Sequence, residues 1–419
     1  MTRSVPRSAF GSWTPSKDRD ILSLLAAQER TRLPELLPIR HERMRATPFG
    51  FYRGAAAVMA ADLAGLPVTG LRVQVCGDAH LLNFGAYASP ERSIVFDVND
   101  FDETLPGPWE WDILRLTASV VVVARGSSFG PRRTNDAALA TVASYRAAMA
   151  HFASVSPLDV WYDHVELADM FASPPATQTN TRRSLLQAYA ATPEQHAPTL
   201  TEANQPRFVD QPPLFRKIPL GDEKAVPAKD VLATYRSTLP DSVQVLFDRY
   251  RLLDLAQKVV GVGSVGTRCY VALLQTERGE SLQLQLKEAD ASVWEPYAGP
   301  STYPHHGQRV VAGQRLVQAA SDIFLGWTTD AGISYYVRQL HDMKTSFPVT
   351  RLGPRDLTRY ARLCAWTLAH AHARSGDPQA IANYLGRGSA FDESAAAFAT
   401  TYADVTEADY QLYCRAVTT

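Results

Sequence analysis

Residues 261–288 read GVGSVGTRCYVALLQTERGESLQLQLKE, and the residues just after the glycines decide the fold class. Gly261, Gly263 and Gly266 fit the spacing GxGxxG, which dinucleotide-binding loops and phosphate-covering hairpins share. A dinucleotide loop has to open a helix, whose N-terminus then faces the pyrophosphate. Here the glycines run into TRCYVALL, β-branched and aromatic residues that alternate as a strand does. The loop therefore joins two strands. The turn RGE at 278–280 returns the chain into LQLQLKEA, so the stretch from 254 predicts three antiparallel strands, the last ending at Lys287.

Working outward, LRVQVC at 71–76 alternates as a strand and leads into GDAHLLN at 77–83, and SIVFDV at 93–98 leads into NDFDE. Apolar periodicity predicts helices near 17–30, 53–65, 110–126, 134–154, 307–320 and 354–376, with a further strand at ISYYVRQL. Residues 190–230, rich in proline and polar side chains, read as a connector or substrate-side loop. No internal repeat is visible. The pattern is α+β.

Composition narrows the partners. At 419 residues the chain can bury a large core, and the formal charge of −1 offers no basic footprint for nucleic acid or for a membrane surface. Cys76, Cys269, Cys364 and Cys414 form no CxxC pair, which fits a reducing compartment. No apolar run is long enough to cross a bilayer, and the N-terminus lacks the apolar stretch of a signal peptide. The expectation is a cytoplasmic protein acting on a small molecule or a protein hydroxyl, with no nucleic-acid or membrane partner; oligomeric state is not readable.

Two segments carry the chemistry. Asp78 and Asn83, five residues apart after a strand, have the spacing of catalytic Asp and metal-binding Asn in phosphotransferase loops. The first orients an attacking hydroxyl, and the second ligates Mg²⁺ without adding charge. Among Asp97, Asp100 and Asp102, Asp100 is the favoured metal carboxylate, while Asp112 reads as a helix N-cap. Lys287 ends its strand where a kinase places the lysine that grips the phosphates of ATP, beneath a backbone formed by Gly261, Gly263, Ser264 and Gly266. Arg53 reads equally as a phosphate holder or as a clamp on the acidic loop. His80 enters only an alternative, a metal-dependent phosphoesterase. His370 and His372, two apart on a helix, face different ways and read as core residues, as do Trp109 and Trp111.

The strings HERMRATPFGFYRGAA, VQVCGDAHLLNFG, VFDVNDFDETLPGPWEWD, KVVGVGSVGTRCYV, GQRLVQAASDIFLGW, YYVRQLHDMK and LAHAHARSG resemble the bacterial family called domain of unknown function 2252 over nearly the whole chain. The local motifs also resemble aminoglycoside phosphotransferases and protein kinases, in inverted order, since the glycine loop and lysine come after the catalytic loop. That resemblance implies a bilobal, circularly permuted kinase-like fold that uses ATP and Mg²⁺. Residues 1–210 would form a helical large lobe, 211–344 a β-rich small lobe, and 345–419 the helices completing the large lobe. The chain departs from the kinase pattern twice. Cys76 stands where small-molecule kinases carry His, and the helix GQRVVAGQRLVQAA offers Lys287 no acid. Gln314, Gln318, Glu288 and Asp322 are the substitutes, or the lysine is unpaired. The alternatives are a catalytically silent nucleotide-binding protein and a transferase of AMP.

Overall fold

The computed structural model describes residues 5–166, 199–202, 205–220, 228–340 and 348–417. The glycine hairpin is built as expected: Tyr250–Lys258 and Cys269–Thr276 pair antiparallel, and Ser281–Glu288 pairs with the second of them. The unit is larger than three strands. Ile333–Gln339 continues the sheet beyond Ser281–Glu288, Gly326–Asp330 closes that edge, and Phe215–Ile218 closes the other, giving six antiparallel strands. Phe215–Ile218 lies in the stretch read as a connector. That stretch also holds the paired strands Thr199–Glu202 and Gln205–Phe208, and its residues 190–198, 203–204 and 221–227 fall outside the described residues, as does the end of YYVRQLHDMK. Short alternating strands broken by prolines gave no readable period.

Alternation along Ser281–Glu288 sorts the side chains by face. Leu282, Leu284 and Leu286 turn to a core with Val231, Tyr235, Phe247, Phe324 and Val337 under the helices Ala228–Arg236 and Asp241–Phe247. Each such leucine contributes roughly 2 kcal/mol of apolar burial. Gln283, Gln285 and Lys287 alternate with them and are themselves buried. In register, Lys287 lies opposite Cys269 and Tyr336, and Gln285 opposite Arg338.

The helical body surrounds Trp109–Gly126, whose VVVV core is buried on every side. Pro131–Phe152, Pro354–Ser375 and Ala390–Ala416 pack around it. The N-terminal segment joins this body. The turn Ala9–Ser12 sits on the last helix, with Gly11 N–H donating to Ser394 Oγ at 2.7 Å and the Phe10 and Phe391 rings 5.4 Å apart. The helix expected over 53–65 is two, Pro48–Gly54 and Ala56–Ala64, the first started by the Thr47 cap and Pro48. Trp109 and Trp111 are core residues, Trp111 stacked on Trp294 at 4.4 Å. Among the described residues, no helix is long and apolar enough to cross a membrane.

Candidate active site

The loop 77–83 is held from beneath. Trp109–Gly126 begins after Pro108, so Asp112 stands inside its first turn and is not the N-cap. Its fully buried carboxylate accepts Cys76 N–H at 2.7 Å and Gly77 N–H at 3.1 Å. His372 Nε2 lies 3.2 Å from the same carboxylate, and its Nδ1 meets Tyr145 O–H at 2.7 Å. His370 makes one buried bond, to the Val160 carbonyl. From above, Trp294 Nε1–H donates to the Gly77 carbonyl at 2.7 Å. Gly77 itself needs to be glycine: φ is +81° and a Cβ would stand 2.3 Å from the Glu103 carbonyl oxygen.

Asp78 emerges from this anchored turn onto Arg115, whose Nε donates to Oδ1 at 2.6 Å. Arg115 is buried and lies over the Tyr52 ring at 4.5 Å. Burial raises the Asp78 pKa above the ordinary carboxylate value, against the opposing charge of Arg115. Asn83 Nδ2–H donates to the Asp78 carbonyl at 2.7 Å, so the amide is fixed and Oδ1 remains its acceptor. His80 is buried, and burial lowers its pKa well below the usual value, with Arg53 and Arg115 adding like charge. Its Nδ1 accepts Leu82 N–H at 3.2 Å and its Nε2 is 3.7 Å from Asp78 Oδ2. One ring nitrogen is thereby committed to the turn.

The second segment divides its acids. Asp97 stands apart from the centre, its carboxylate accepting Ala319 N–H at 2.9 Å and Val98 N–H at 2.7 Å. Asp102 is the hub. It accepts from the Lys287 ammonium, from Ser264 O–H at 3.0 Å and from Tyr336 O–H at 2.9 Å. Asp100 Oδ1 is 3.7 Å from the same ammonium. Burial pushes Asp102 up, but the charge and hydrogen bond of Lys287 and the Tyr336 hydroxyl outweigh it and hold the carboxyl at about 2. Burial opposes the Lys287 charge too, yet Asp100 and Asp102 raise its pKa, so the ammonium stays protonated. None of the four anticipated substitutes pairs it. Gln314 bonds Gln318, Gln318 bonds the Val98 carbonyl, Glu288 pairs Arg268, and Asp322 accepts the N–H of Phe324 and of Gln339.

The glycine loop is tied to the N-terminal helices, through residues that motif reading missed. Arg32 donates to the carbonyls of Gly263 at 2.8 Å and Val265 at 2.5 Å, Arg40 to that of Val262 at 3.0 Å, and Arg43 to that of Val260. With its carbonyls drawn toward this arginine layer, the loop sits on the cluster and Ser264 reaches Asp102. Only Gly266, at φ +95°, requires glycine for its backbone; Gly261 and Gly263 do not. The signal was present as the arginine-rich run of 30–53, and Arg115 as a cation in the middle of an apolar helix.

Arg53, Asp78, Asp100, Asp102, Gly263 and Ser264 thus surround one small recess. Arg53 Nε has no partner among the described residues; burial lowers its pKa, and the charges of Asp78 and Asp100 favour its cation. Beside the recess a cavity of about 690 Å³ opens between the sheet and the hairpin Phe84–Ala88/Ile94–Val98, with Gly261, Gln285, Asn99 and Arg338 in its wall. No three His, Cys, Asp or Glu side chains among the described residues form a metal cluster. A Mg²⁺ ion needs only one or two carboxylates and keeps several waters. Asp100, in the wall of the recess, and the amide oxygen of Asn83 are donors of the kind such an ion takes, while His80 has one ring nitrogen committed to the turn.

Fold and site together define a mixed α+β protein whose antiparallel sheet carries a buried lysine to an acidic centre on a helical body. The chain belongs to the family described as an uncharacterized protein conserved in bacteria, domain of unknown function 2252, whose model matches residues 32–416. No curated protein and no solved structure matches it.

Proposed function

We propose that this chain is a Mg²⁺- and ATP-dependent phosphotransferase of bilobal, circularly permuted kinase-like architecture, acting on a hydroxyl acceptor. The observation that carries the reading is the convergence of Lys287, from the strand after the glycine hairpin, with Asp102, Asp100 and Asp78 from two loops of the helical body. Supporting it are the nucleotide-sized cavity at the same hairpin and the packing of the N-terminal turn on the start of the last helix, which is in keeping with a permuted order. In this reading ATP lies in the cavity and Lys287 holds a phosphate. Asp100 and Asn83 would hold Mg²⁺, which when bound supplies charge neutralisation at the phosphates. Asp78, oriented by Arg115, receives the acceptor's proton as its oxygen attacks phosphorus. Its pKa, raised by burial, makes it a better base than a solvated aspartate.

The test is thermal unfolding with and without Mg²⁺–ATP, for the wild type and Lys287→Ala. Saturation to a hundred times Kd stabilises by about 2.7 kcal/mol. A Mg²⁺-dependent rise that shrinks in the variant supports the reading. No rise at millimolar nucleotide removes it.

A further inference from the structure

Arg53 stands in the wall of the small recess beside Asp78, Asp100, Asp102, Gly263 and Ser264, yet its side chain bonds to none of them. Two of these acids have another cation in contact. Asp78 accepts from Arg115 Nε at 2.6 Å, and Asp102 from the Lys287 ammonium, which Asp100 Oδ1 approaches to 3.7 Å. Arg32, Arg40 and Arg43 spend donors on carbonyls of the glycine loop. Arg53 has neither kind of partner among the described residues, and its Nε is buried without an acceptor. A guanidinium carries five N–H donors and no acceptor, and a buried donor left unbonded is costly.

The backbone that carries this fork is pinned on both sides. The Tyr52 carbonyl accepts Arg115 Nη2 at 3.2 Å, and the Gly54 carbonyl accepts Arg40 Nη2 at 2.8 Å. Arg115 therefore fixes Asp78 and the base of Arg53 together. The side chain reaches the glycine loop, where a Cβ on Gly261 would stand 3.7 Å from Nη2, and Gly261 also lines the nucleotide-sized cavity. A partner for this fork has to be anionic, offer several oxygens and lie between Asp78 and the loop. A phosphoryl group does all three, and planar guanidinium is well matched to its oxygens. We infer that Arg53 grips the terminal phosphoryl group of ATP, the group that moves. The inference rests on the nucleotide reading above and adds the residue that bears the charge of that group. The acceptor oxygen bonds to the terminal phosphorus, the bond from that phosphorus to the β–γ bridging oxygen breaks, and ADP leaves. The acceptor's proton passes to Asp78. Arg53 keeps its protons and donates to the non-bridging oxygens throughout, where charge is spread as the group passes.

The experiment compares the affinity of the full chain for ATP and for ADP, each with Mg²⁺, by thermal unfolding across a nucleotide titration, for the wild type and Arg53→Gln. ADP lacks only the group that Arg53 is assigned to hold. In Arg53→Gln the affinity for ATP should fall about tenfold or more and that for ADP by less than about threefold, the loss of one charged hydrogen-bonding partner. Equal losses for the two nucleotides, or no loss for either, overturn the assignment and leave the nucleotide reading standing. ATP and ADP both without effect on the wild type overturn both. Should Arg53→Gln fail to fold, Arg53→Lys, which keeps the charge and removes the fork, carries the same comparison: a loss confined to ATP supports the assignment, and equal losses or none overturn it.

Discussion

Lys287 and Asp102, 185 residues apart in the chain, form the ion pair that joins the sheet to the helical body. Lys287 is 3 % exposed, and its partner also receives the Ser264 and Tyr336 hydroxyls. Removing one member of such a pair leaves the other charge desolvated, a loss of about 3 kcal/mol. Lys287→Met should therefore lower the unfolding temperature by several degrees. The double variant Lys287→Met/Asp102→Asn should be more stable than the sum of the single losses. Strict additivity in chemical denaturation would show that the two residues are not coupled.

Asp112 tests what holds the loop 77–83. Its carboxylate carries the N–H groups of Cys76 and Gly77, and His372 besides. Asp112→Ala orphans two buried donors, each worth about 1–3 kcal/mol, and frees the turn that presents Asp78. The expected result is a loss of about 3 kcal/mol or more, with weaker protection of amides 76–83 in hydrogen exchange. Unchanged protection there would show that the loop stands without this anchor.

The fold was legible where local chemistry carries it. The switch from helical to strand period at 254 and the polar loops after two short strands mark the elements that meet at the site. Long-range partners were not legible. Lys287 finds its acid in a loop nearly two hundred residues away, and the helix that lacked an acid proved irrelevant to it. The arginines under the glycine loop bind backbone carbonyls, an interaction that leaves no motif of paired residue types. Asp112 comes shortly after a proline at the start of a helical period and so reads as a cap. Only the fold shows that its carboxylate turns away from its own helix to the neighbouring strand end.

Two glycines of the site should respond oppositely to alanine. Gly77 combines a positive φ with a Cβ position overlapping the Glu103 backbone, so Gly77→Ala should cost about 2 kcal/mol or more. Gly261 has ordinary extended backbone, and the nearest atom to its Cβ position is Arg53 Nη2 at 3.7 Å. Gly261→Ala should leave the unfolding temperature within a degree or two and weaken Mg²⁺–ATP binding, because Gly261 lines the cavity. Destabilisation by Gly261→Ala comparable to that of Gly77→Ala would remove its assignment as a ligand-side glycine.

Asp97 makes a prediction about pH. Burial raises its pKa from 3.8 to about 6, against the N–H groups of Ala319 and Val98 that favour the charged form. The folded chain therefore holds this proton in a range where the unfolded chain has released it. The folded state binds more protons between pH 4 and 6, so this carboxyl's contribution is fully present below pH 4 and is lost as pH rises through 6. Asp97→Asn removes the titration, keeps one acceptor for the two N–H groups and leaves the other unsatisfied. The variant should be less stable than wild type at pH 4, and the gap should narrow by pH 7 as the wild type loses its proton. Unfolding curves in denaturant at the two values decide it. A gap that widens with pH would mean that the Asp97 carboxylate is stabilised as an anion, and the two backbone donors, not burial, would then set its charge.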